Sequence, residues 1–73
     1  MKIIDSFIYE NSRAIICTFE NANVSVTSKV IIAGKTYDVL KHDVLTAISN
    51  QKMLALLLNT NAEFENHTEI RFI

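Results

Sequence analysis

The chain has no proline, one glycine, one cysteine and no tryptophan, and each scarcity excludes something. A lone cysteine, Cys17, rules out an intrachain disulfide. The metal-ligand inventory is equally thin: Cys17, His42 and His67 lie far apart in sequence, whereas a structural zinc site takes four Cys or His ligands with paired spacing. A single glycine, Gly34, cannot build the glycine-rich cradle of a phosphate loop, so Lys35 beside it reads as part of a turn. Scarce glycine also argues against a closed β-barrel, whose corners often use glycine or bulges.

Cationic clusters are missing as well. The seven Lys and Arg residues are scattered singly and the net charge is −1. Nucleic-acid binding draws most of its affinity from grouped cations, so that class is disfavoured. The longest apolar run, Met53 to Leu58, is far short of the roughly 20 residues of a transmembrane helix, and no membrane association is expected. No apolar signal segment opens the sequence, and a cytoplasmic location is the expectation.

What is present suits a small core. Hydrophobic residues make up 49% of the 73 residues and charged residues 21%, which excludes a wholly disordered chain. One domain spanning residues 1–73 is expected. A chain this short buries only about 60% of its unfolded surface and often leans on a staple or a partner subunit. With disulfide and zinc set aside, a dense core or oligomerisation remains.

The first half reads as strands. Residues 2–9 place Ile3, Phe7 and Tyr9 on one parity, and residues 13–20 place Ile15, Cys17 and Phe19 on one parity; both are rich in β-branched and aromatic residues. Glu10-Asn11-Ser12 between them is a polar connection of hairpin length. A break at residues 20–23 precedes an alternating run from Val24 to Ile32. Gly34 then closes a second hairpin with the strand Thr36–Leu40.

Residues 42–60 are predicted as a helix, with Asp43 as N-cap and QKMLALLL composed of good helix formers. A polar loop follows to Thr68, and Glu69–Ile73 reads as a short last strand. The expected fold is therefore α+β: a small antiparallel sheet of two hairpins and a C-terminal strand, with one helix packed on a face. The alternative is an all-β small barrel or roll in which residues 44–58 form a further hairpin across Ser49-Asn50.

Several constellations invite chemistry, and each has a plainer explanation. Glu63, Glu65, His67 and Glu69 would share one face of an extended strand and could hold a divalent cation; a solvated polar loop or a charged edge-strand face is the much better account. Cys17 sits in Ile15-Ile16-Cys17-Thr18-Phe19, the setting of an inert buried thiol rather than a nucleophile. His42 and Asp43 are adjacent, and neighbours in sequence seldom face each other. No catalytic residue, cofactor or metal ligand is assigned, and an enzyme is not expected.

The apolar run is the exception. Met53, Leu54, Leu56, Leu57 and Leu58, with Ala55, give more apolar surface than one side of a 73-residue domain can cover. These five residues are the interface candidates. The function expected is a non-enzymatic protein–protein interaction module, a small oligomeric adaptor or inhibitor docking on a larger protein, with a homodimer as one form. A nucleic-acid-binding domain using Tyr9, Tyr37 and dispersed lysines is the alternative.

Overall fold

A computed structural model describes residues 1–18, 27–46 and 52–73. Six strands follow in chain order: β1 (Ile3–Tyr9), β2 (Ser12–Thr18), β3 (Lys29–Ile32), β4 (Lys35–Thr46), β5 (Lys52–Leu58) and β6 (Ile70–Phe72). They form one antiparallel sheet in the order β1-β2-β5-β4-β3-β6. No helix occurs among the described residues.

Strands occupy 42–46 and 52–58 where a helix over 42–60 is expected, and the α+β expectation gives way to an all-β fold of the described residues. Residues 47–51, including the Ser49-Asn50 turn of the alternative reading, lie outside the described residues, as do the break at 20–23 and the run Val24–Val26. The helix formers of residues 52–58 are overridden by pairing. β5 is bonded on both sides, to β2 from Met53 to Leu58 and to β4 from Lys52 to Leu58. Two ladders of backbone hydrogen bonds and the burial of Leu54, Leu56 and Leu58 outweigh propensity differences of only a few tenths of a kcal/mol per residue. Asp43, expected as a helix cap, sits mid-strand opposite Ala55.

Both expected hairpins are present. Tyr9 pairs with Ser12 across Glu10 and Asn11, and Ile32 pairs with Lys35 across Ala33 and Gly34. All four turn residues have positive φ, at 50°, 65°, 51° and 79° in chain order. Positive φ at both central residues is the type I′ turn, whose twist matches that of the flanking strands.

The sheet curls until its edges meet. Lys2 bridges Glu69, and the backbone bonds Ile3 N–H to Thr68 O, His67 N–H to Ile3 O and Ile70 N–H to Met1 O join the start of β1 to β6. Low glycine content argues against such closure only if glycines must turn the corners. Here bulges turn them. One extra residue, Ile4, interrupts the β1–β2 register, and another, Leu40, interrupts the β4–β5 register. A bulge bends its strand and sharpens the local twist without glycine. At the second bulge β4 changes partner: Lys35–Asp38 pair with β3, and the stretch from Val39 to Thr46 pairs with β5.

Inside the curl lies one core: Ile3, Ile15, Cys17, Val30, Ile32, Leu54, Leu56, Leu58 and Ile70, none more than 3% exposed. Tyr37 and Phe64 pack against it and meet each other edge-to-face with ring centroids 5.2 Å apart. One end is closed by Arg13, which is 8% exposed. Its guanidinium donates to Ala62 O (2.7 Å), Ser6 Oγ (3.3 Å) and Asn61 O (3.5 Å), and the backbone N–H of Arg13 donates to Thr60 O (2.6 Å). Residues 60–62 belong to none of the six strands, and these bonds from Arg13 tie them to β2.

Candidate protein-interaction surface

Because side chains alternate along a strand, the apolar run divides between two faces. Leu54, Leu56 and Leu58 point into the core and are sealed there, whereas Met53, Ala55 and Leu57 are half-buried on the opposite, outer face of the β1-β2-β5-β4 sheet. Of the five interface candidates, then, Met53 and Leu57 lie on an accessible face, and the other three hold the core.

Register places the outer-face residues in rows across four strands. Phe7, Ala14, Leu57 and Lys41 form one row; Asp5, Ile16, Ala55 and Asp43 form the next; Thr18, Met53 and Leu45 form a third. Tyr9 stands beside Ser12 at the end of β1. The middle of this face is apolar and its ends carry charge. Ala14 and Ala55 occupy adjacent strands, and their short side chains leave a depression. The resulting groove has a volume of about 550 Å³, walled by Phe7 and Tyr9 on one side and Lys41 and Asp43 on the other, with Leu57 in its bed. Phe7 is 45% and Tyr9 53% exposed, which is unusual for aromatics in a chain with so little core to spare.

Phe7, Tyr9, Ala14, Lys41 and Asp43 escape sequence reasoning for separate reasons. The sequence puts Ile3 on one parity with Phe7 and Tyr9, but the bulge at Ile4 turns Ile3 inward and the two aromatics outward. The alanines carry no signal until two strands distant in sequence are set side by side. Only the period-two pattern of β2, with Ala14 and Ile16 opposite Ile15 and Cys17, points to the face in advance.

The remaining sequence candidates do not assemble into a reactive site. Burial pushes the Cys17 thiol up to about 12, leaving it protonated and unreactive at neutral pH. His42 and Asp43 lie on opposite faces of β4, opposite Leu56 and Ala55 respectively. Glu63 and Glu65 lie in an irregular segment, His67 turns through a φ of 71°, and Glu69 belongs to the bridge at the seam. No three His, Cys, Asp or Glu side chains among the described residues are grouped to hold a metal ion. Tyr9 and Tyr37 sit on different faces: Tyr9 on the outer one, Tyr37 against Phe64 and the core. No helix among the described residues is long and apolar enough to cross a membrane.

Comparison of the chain with protein-family models, with curated proteins and with solved structures found no match.

Proposed function

We propose that this chain is a non-enzymatic protein–protein interaction module that docks on a larger protein through the outer face of the β1-β2-β5-β4 sheet. The observation that carries the reading is the row Phe7-Ala14-Leu57-Lys41 with its neighbours: exposed aromatics beside an alanine-floored groove. Contiguous exposed apolar surface on a small protein marks an interaction site more often than chance burial, and aromatic residues are enriched at such sites. The groove suits an apolar side chain from the partner, with Lys41 and Asp43 at the rim to orient it by charge. A reducing, cytoplasmic setting suits a chain with one unpaired thiol.

Phe7→Glu tests the reading. Phe7 is 45% exposed, so a charge there blocks docking without emptying the core. The expected result is a defined protein captured from the source cell by the wild type, lost with Phe7→Glu, and retained with Thr36→Glu on the distant half of β4, all three with the same thermal midpoint. Equal capture by all three overturns the reading.

A further inference from the structure

The outer face of the β1-β2-β5-β4 sheet is complementary to itself in both size and charge. In the middle of its two central rows a large side chain stands beside a small one: Leu57 beside Ala14 in the first, Ile16 beside Ala55 in the second. Large and small thus alternate along each strand as well as across it. At the β4 end the same rows carry opposite charges, Lys41 in the first and Asp43 in the second. Both are exposed, and the side-chain ion pair Lys29–Asp38 involves neither. Both rows lie beyond the bulges at Ile4 and Leu40, so their register runs unbroken across all four strands.

We infer that two copies of this chain pack outer face to outer face about a two-fold axis that lies in the interface, runs across the strands and passes between the two rows. Such a contact is isologous, so every pairing in it occurs twice. The axis turns the first row of one copy over the second row of the other. Leu57 then stands over Ala55 of the second copy, Ile16 over its Ala14, and Lys41 over its Asp43. Phe7 falls over Asp5, whose carboxylate is held beside its own strand by the Ser6 N–H at 2.8 Å. The other axis within the interface, along the strands, also sets large over small, but it brings Asp5 over Asp43 twice, and like charges directly opposed are destabilising. One axis satisfies size and charge together. Stacked sheets cross at about 30°, and the two rows that flank the axis are the ones this rotation displaces least.

The inference rests on the reading of this face as the interaction surface and names a second copy as one occupant of it. Pairing and docking on a larger protein use the same residues, so each excludes the other. The dimer is then the state in which the face is covered until another protein takes it.

Sedimentation of the wild type across micromolar to submillimolar concentration should show a monomer–dimer equilibrium. Lys41→Asp and Asp43→Lys should each weaken it at least about tenfold, because the two-fold converts both attractive pairs to repulsive ones. The double swap Lys41→Asp/Asp43→Lys, which keeps the net charge at −1, should restore it. A size swap fixes the axis. Ala55→Leu sets leucine over leucine and should weaken the dimer about tenfold, whereas Ala55→Leu/Leu57→Ala should recover it. About the rejected axis the same swap would crowd Ile16 of the second copy and rescue nothing. Thr36→Glu, outside this face, should leave the equilibrium unchanged. A wild type that stays monomeric, a dimer indifferent to either single charge change, or failure of either swap to rescue in a variant that keeps its thermal midpoint overturns the proposal. Capture of a larger protein by a chain that sediments as a monomer overturns the pairing and leaves the docking reading standing; a dimer that captures nothing supports the pairing and overturns that reading.

Discussion

Arg13 offers the sharpest test of how this small barrel holds together. Its guanidinium is almost wholly enclosed yet has no carboxylate partner among the described residues; it is satisfied by Ala62 O at 2.7 Å and by weaker contacts at 3.3 and 3.5 Å. A short hydrogen bond from a charged group contributes about 1.5–3 kcal/mol, and the two long ones add about half a kcal/mol each. Methionine keeps much of the volume and removes every donor. Arg13→Met should therefore cost about 2–3 kcal/mol after allowing for the relief of charge desolvation. A domain of 73 residues has only about 4–11 kcal/mol in total, so a large share is at stake. The thermal midpoint should fall by roughly 10–20 °C. Arg13→Lys, which restores the charge but reaches one acceptor, should lose about half as much. Urea titration gives the global change, and hydrogen exchange of residues 60–68 should show that segment loosening first. An Arg13→Met variant as stable as the wild type would refute the reasoning, since burial of the cation would then already cancel its bonds.

Three further outcomes follow from other parts of the fold. Burial moves the Cys17 thiol from 9.0 to about 12, so ionisation favours the unfolded chain; stability intact below about pH 9 should fall by up to about 1.4 kcal/mol per pH unit towards pH 12. Cys17→Val should flatten that part of the alkaline slope, measured as the difference between paired urea titrations. At the β3–β4 turn, Ala33 holds a φ of 51° that L-residues other than Asn and Asp adopt at a cost; Ala33→Asn should stabilise by about 0.5–1 kcal/mol, and Gly34→Ala, with open space but a φ of 79°, should destabilise by about 1 kcal/mol in the same denaturation assay. Along β5, Leu56→Ala should cost about 2–5 kcal/mol, whereas Leu57→Ser should cost less than about 1 kcal/mol; equal losses would place the core elsewhere.

The hairpins were legible because their strands carry β-branched residues and each turn carries one residue suited to positive φ, Asn11 and Gly34. Residues 42–60 were not, and the reason is compositional. In Met53–Leu58 both faces are apolar, so the period of two that Leu54, Leu56 and Leu58 obey has no polar contrast to reveal it. Helix propensity then filled the gap, and only the two flanking strands, absent from any local window, reverse it. The closure was misjudged for a related reason: Ile4 and Leu40 look like ordinary strand residues, and nothing in their identity announces a bulge. Half of the candidate surface was reachable through Met53 and Leu57. The rest needs Phe7, Ala14 and Lys41, which are remote in sequence, brought into one row with Leu57.

The seam between β1 and β6 has a consequence for the order of events in folding. It joins the strands farthest apart in sequence, so its contacts come at the largest cost in chain entropy, and in return it gives the Lys2–Glu69 bridge, a few backbone bonds and the burial of Ile3 and Ile70. The two hairpins close over short loops and can form early, β5 can then insert between β2 and β4, and the seam can zip only after Ile70–Phe72 has arrived. Such long-range closure is slow compared with hairpin formation. Until it happens Ile3 and Ile70 stand open to solvent. While β6 is unpaired the chain displays an unfinished barrel, and that interval is when it is most exposed to aggregation.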